Sequence, residues 1–239
     1  MFFFKRKEIV VDCFVNSERL KNSYAPKRAS HFIPEWWKKI PNELEEHLHE
    51  INKTKTVPTM KFCVGFRDLY SSGFILPMWC DARFFINDVS WHNVYSTNGF
   101  RSETHNPAQH NHNFPNYHHV KLVSPWFFKE KSGIKFVFME PFWSVYKVSE
   151  NIRIPPAITS FNLQFATNVN MFVKKGEYDF DIKAGEPLVH LIPLTDKKVT
   201  FKPQVISEAE YMYILRENIG LSFTRGYDRY KRIMKKEDK

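Results

Sequence analysis

Glycine is scarce in this chain, at 8 of 239 residues, and cysteine is scarcer, at 3. So little glycine, with no period, excludes a collagen-type repeat, and no heptad pattern supports a coiled coil. Cys13, Cys63 and Cys80 have no short paired spacing. An odd set of this kind is expected to stay as reduced thiols, buried and inert in strand-like runs. Mean hydropathy is −0.45, and no apolar run reaches the ~18 residues needed for a membrane-spanning helix. There is no glycine-rich phosphate cradle, no Gly-x-Ser-x-Gly elbow and no His-Glu-x-x-His. The start, Met1-Phe2-Phe3-Phe4-Lys5-Arg6-Lys7, places its apolar residues before its charges. That is the reverse of a secretory signal, so none is expected.

What is abundant is aromatic and basic. Aromatic residues make up 16% of the chain, with 23 Phe and 6 Trp, which excludes intrinsic disorder. The net charge of +9 is concentrated. Residues 225–239 hold seven basic and three acidic residues, whereas residues 61–224 are nearly balanced. Arg225, Arg229, Lys231, Arg232, Lys235 and Lys236 therefore form a basic tail that can solubilise the chain or touch nucleic acid through phosphates.

Three zones follow along the chain. Residues 1–56 read as a strand over Glu8–Val15, a short helix after Pro34, and a second helix capped by Asn42 with Leu44, Leu48 and Ile51 on one face. Residues 57–206 read as a β core. Phe62–Phe66, Phe74–Met78, Ala82–Ile86, Lys135–Met139, Phe161–Phe165 and Leu188–Leu194 are short apolar or alternating runs, separated by turn residues such as Ser132-Gly133 and Ala184-Gly185. Pro77, Pro141, Pro187 and Pro193 predict edges or bulges. Residues 207–239 read as helical, opening on a capping box at Ser207-Glu208-Ala209-Glu210. A second apolar stripe there is Phe223, Tyr227, Tyr230 and Met234. The expected fold is mainly β, a jelly roll or β-sandwich that includes cupin-like geometry among its forms. Short N-terminal helices and a C-terminal helical extension flank it.

Half of the 10 histidines lie within fifteen residues: His105, His110, His112, His118 and His119. If His110 and His112 lie on a strand, they share a face. With His105 and a distant His190 or Glu186 they could then ligate a transition metal. Asp81 and Gln109 are the accompanying candidates for catalytic or substrate contact. The bland alternative is a polar loop whose histidines bond locally, which Asn106-Pro107 and Phe114-Pro115 favour. Adjacent Trp36 and Trp37 are expected to diverge, leaving one at an interface; the six tryptophans otherwise read as core filling, with stacking of single-stranded bases through aromatics interleaved with Lys and Arg as the alternative.

The order of Ala25-Pro26, Pro34-Glu35-Trp36-Trp37-Lys38, Met60-Lys61-Phe62-Cys63 and Ser72-Gly73-Phe74-Ile75-Leu76-Pro77-Met78-Trp79-Cys80-Asp81, continuing through Ser124-Pro125-Trp126 to Ile182-Lys183-Ala184-Gly185-Glu186-Pro187-Leu188, resembles an uncharacterised protein family of tailed bacteriophages, cyanophage type. The resemblance implies a mainly β fold and a viral context, in the host cytoplasm or the virion. It carries no activity with it. The expected role is binding or assembly, with a protein partner or a second copy. A metal-dependent enzyme built on the histidines is the alternative, and nucleic-acid binding through the tail a further one.

Overall fold

The computed structural model of the protein describes residues 8–48, 53–144, 151–162 and 165–220. It opens on β1 (Ile9–Val15), whose burial alternates so that Val11, Cys13 and Val15 face inward. α1 (Glu18–Tyr24) is capped by Ser17, whose hydroxyl accepts from the Leu20 amide. β2 (Lys27–Arg28) leads through a 3-10 turn, Ala29–Phe32, to α2 (Glu35–Lys39). A hairpin follows, β3 (Glu43–Leu48) and β4 (Lys53–Pro58). A 3-10 turn at Met60–Phe62 then enters α3 (Val64–Ser72).

The next strands are β5 (Phe74–Pro77), β6 (Ala82–Ile86), β7 (Trp91–Tyr95) and β8 (Ser102–Thr104). Beyond the histidine loop come β9 (Tyr117–Leu122), β10 (Phe127–Lys129) and β11 (Phe136–Met139). β12 (Ile152–Arg153), β13 (Ala157–Thr159), β14 (Val169–Lys174) and β15 (Tyr178–Ile182) follow. β16 (Pro187–Pro193), β17 (Val199–Val205) and α4 (Glu208–Gly220) complete the described chain.

The fold is mainly β, with several antiparallel sheets. The strand orders are β10-β1-β17, β13-β11-β16-β5-β2, β12-β14-β9-β8 and β15-β6-β7, with β3-β4 apart. Only β1 and β17 pair in parallel among these. The first four sheets share one apolar core, to which Val11, Leu76, Phe84, Val120, Phe136, Met171 and Leu191 all contribute. Trp79 and Trp126 sit fully buried in it. At Pro187 the pairing of β16 with β5 shifts register before Val189. A proline cannot donate to the ladder, so a bulge is where a central strand tolerates one.

The capping box forms as expected. The Ser207 hydroxyl accepts from the Glu210 amide while the Glu210 carboxylate accepts from the Ser207 amide. Three expected elements differ. Residues 43–48 are a strand, not a helix, because Leu44 and Leu48 share a face in either geometry and pairing with β4 decides between them. Phe62–Phe66 is not a strand. It is a turn entering α3, whose Phe66 and Tyr70, four residues apart, are buried on one helical face. Cys63 is consequently exposed, unlike Cys13 and Cys80. Phe161 and Asn162 form a turn rather than a strand. The expected helix over Phe223–Met234 and the basic residues from Arg225 to Lys236 lie outside the described residues.

Glu130 is 2% exposed, yet it is a carboxylate. It takes the amides of Ser132 and Gly133 and the Ser132 hydroxyl onto its oxygens. Gly133 adopts φ +76, the left-handed region that glycine enters without strain. Glu130→Gln keeps the shape but sets an NH2 group against these donors. It is expected to destabilise the protein by about 2 kcal/mol, read from urea unfolding at neutral pH.

Candidate functional site

The histidine segment is a loop. Pro107–His110 forms a 3-10 turn that Asn106 caps, its side chain accepting from the Ala108 amide. Asn111 and His112 then take left-handed conformations, φ 51 and φ 54, so His110 and His112 do not share a strand face. His105, His110 and His119 gather against β14. The His119 ring stacks between His105, 4.4 Å away, and Phe172, 4.6 Å away, with His110 at 5.9 Å. The Phe114 ring lies 4.6 Å from Phe172.

His105 spends both nitrogens on side-chain amides. Nδ1 is 2.7 Å from Gln109 Oε1 and Nε2 is 3.1 Å from Asn170 Oδ1. An amide end can present a donor or an acceptor, so a neutral ring satisfies both. Gln109 thus orients His105. His119 has both ring nitrogens buried without a hydrogen bond. Burial, followed by the neighbouring His105 and His110, lowers its pKa to about 4. His118 points to the opposite face, where Nε2 meets the Asn87 carbonyl at 2.7 Å.

His190 lies elsewhere, on β16 between β11 and β5. It packs beside Tyr70 of α3, with ring centroids 5.9 Å apart, and its Nε2 is buried without a partner. Asp81 serves a turn: its carboxylate accepts from the Ala184 amide at 2.8 Å, tying the β5–β6 connection to the β15–β16 turn. Glu186 closes that same turn by accepting from the Lys183 amide. Among the described residues, no group of three or more His, Cys, Asp or Glu is placed to hold a metal ion. His105, His110, His112 and His190 therefore do not converge as one ligand set. Burial and Asp81 push the Cys80 thiol up to about 12, which suits an inert thiol.

The second grouping is aromatic. Trp36 and Trp37 of α2 both engage Phe66 of α3, one edge-on at 5.9 Å and the other stacked at 5.1 Å. Neighbouring helical residues diverge by roughly a third of a turn, and Phe66 is wedged where both rings can reach it. Trp143 closes the cluster 5.5 Å from Phe66, and its carbonyl accepts from Trp36 Nε1. The Tyr70 hydroxyl and Ser144 Oγ lie 2.9 Å apart beneath it.

Large apolar side chains stay exposed around this cluster: Phe62 at 55%, Val64 at 65% and Phe142 at 57%. Lys61 sits over the Trp37 ring at 4.5 Å, and Trp37 Nε1 donates to the Met60 carbonyl. A cleft of about 390 Å³, lined in part by Ile33, Trp37, Val64, Phe66 and Arg67, opens beside it. The result is an aromatic ledge with a basic rim. The Trp36-Trp37 pair announced it in the sequence. Phe62, Val64 and Phe142 were missed there, because nothing local distinguishes them from core residues. No family model matches the chain, and no curated protein does. No helix among the described residues is long and apolar enough to cross a membrane.

Proposed function

We propose that the protein acts by binding and assembly rather than by catalysis. In this reading it is a viral-type protein, virion-associated or host-interacting, on a jelly-roll or sandwich body. The observation that carries the reading is the ledge. Exposed Phe62, Val64 and Phe142 surround a packed cluster of Trp36, Trp37, Phe66 and Trp143, with Lys61 at the margin. Aromatic anchors on a rigid base with a charged rim are what protein interfaces concentrate. A contiguous exposed apolar patch carries a solvation cost that a partner relieves.

The test is sedimentation velocity over a wide concentration range, with elemental analysis of the same sample. Defined self-association is expected. The double variant Phe62→Ser/Phe142→Ser should weaken it by at least about tenfold while leaving the fold intact. A monodisperse monomer that retains one equivalent of a transition metal would overturn the proposal.

A further inference from the structure

β3 and β4 form the one sheet of the described residues that belongs to no larger assembly. The hairpin rises from the ledge. The Thr59 amide donates to the Asn42 carbonyl and the Thr59 hydroxyl to the Pro41 carbonyl, at 2.9 and 2.6 Å, so its base is tied between α2 and the Met60–Phe62 turn. Glu43, Leu44, Glu45 and Glu46 of β3 are exposed, as are Thr54, Lys55 and Thr56 of β4. Of the arm's residues with described side chains, only Val57 is partly covered. A two-stranded hairpin alone in water is marginally stable and gains most from a further strand. Both outer edges carry backbone groups open to pairing.

The two edges differ in sign. β3 carries Glu43, Glu45 and Glu46 and no lysine or arginine, while β4 carries Lys53 and Lys55 and no acid. Within the hairpin, Glu46 already stands opposite Lys55. We infer that the β3–β4 arm joins copies of this chain head to tail, β3 of one copy pairing with β4 of the next. The reasoning is electrostatic and topological. Two arms in the same orientation bring β3 beside β4 as antiparallel neighbours, continuing the sheet. Two arms related by a two-fold axis bring β3 against β3, or β4 against β4, and set like charges face to face. Like charges across a strand pair are destabilising and opposite charges stabilising. By register Glu46 shares its face with Lys55, while Glu43 and Glu45 stand on the other face, opposite Pro58 and Thr56. The β3–β3 pairing therefore crowds carboxylates and the β4–β4 pairing crowds lysines, whereas the repeating pairing sets Glu46 near lysine and Glu43 and Glu45 near uncharged residues, and so is the one selected. A heterologous contact of this kind closes into a ring or propagates as a filament. The inference rests on the assembly reading above and names its partner as a second copy.

The experiment uses two full-length variants and sedimentation velocity. One carries Glu43→Lys, Glu45→Lys and Glu46→Lys, making both strands basic. The other carries Lys53→Glu and Lys55→Glu, making both acidic. Each arm is exposed, so unchanged circular dichroism and thermal unfolding are the controls for folding. Each variant alone should associate at least about tenfold more weakly than the wild type. An equimolar mixture should recover association, because each β3 then meets a β4 of opposite sign, and added salt should weaken the recovered complex. Variants that associate like the wild type, or a mixture that stays dissociated, overturn the arm. If association survives these changes but is lost in Phe62→Ser/Phe142→Ser, the arm is wrong and the assembly reading stands. If the wild type never associates, both fall.

Discussion

Gly73→Ala is expected to destabilise the protein by about 3 kcal/mol, well beyond what backbone preference alone would impose. Gly73 sits at φ −90 and ψ 175, extended backbone that any residue adopts. The cost is steric. A methyl group at this position would lie 2.1 Å from His190 Nε2 and 2.7 Å from its Cδ2. The imidazole has nowhere to retreat, since His190 is 2% exposed, with Tyr70 packed on another side. Either the ring leaves its pocket or β5 and β16 separate, and their pairing anchors the five-stranded sheet. In a chain of this size the loss corresponds to a fall in Tm of roughly 6–12 °C. A double-mutant cycle isolates the cause. His190→Ala is destabilising by itself through the cavity it opens, but Gly73→Ala added to it should cost little, because the new methyl enters vacated space. If the two effects simply add, the clash is not the origin.

Why a glycine belongs there was not legible in the sequence. Ser72-Gly73 reads as a turn between apolar runs, and a turn it is, from α3 into β5. Its reason for lacking a side chain comes from a histidine more than a hundred residues away. The pattern holds more generally. Where local rules decide, the sequence was readable: the β-branched run of β1, the apolar run of β5, the bulge at Pro187 and the capping box of α4. Where pairing decides, it was not. Leu44 and Leu48 fit both a helix and a strand, and only the partner strand breaks the tie.

The candidate sites divide in the same way. The Asn-Pro and Phe-Pro steps marked residues 105–116 as a loop, and a loop is what forms. No spacing rule could reveal that His119, from the following strand, would enter the stack while His112 stayed outside it. His190 resembled a distant ligand because a β fold can deliver one from any strand. Its own strand instead places it against α3, on a different sheet from the His105–His119 stack.

Acid should unfold this protein earlier than its carboxylates would. His190 is held near a pKa of about 4 by burial, which the Leu69 backbone carbonyl only partly opposes. His119 is lowered to about 4 as well, by burial first and then by His105 and His110. An unfolded histidine titrates near 6.5. Both rings are therefore neutral in the folded protein, and the unfolded chain takes up the protons as pH falls through about 6.5. The histidine contribution to stability is expected to be level above that value, to fall between about 6.5 and 4, and to flatten below, where the folded rings titrate too. For His190 alone, a displacement of this size amounts to about 3 kcal/mol at the acid end.

Lowered carboxylates act at lower pH. Glu103, lowered chiefly by its bond to Lys121, contributes stability that disappears only below the usual carboxylate range. The window above it belongs to the histidines. The measurement is urea unfolding at pH steps from 7.5 to 4.5 with wild type and His190→Leu. The leucine variant keeps an apolar side chain in the site and removes the titration, so its stability should depend less steeply on pH. A wild type equally stable at pH 7 and pH 5, or a His190→Leu profile parallel to it, would show that the buried His190 ring is not what acid attacks.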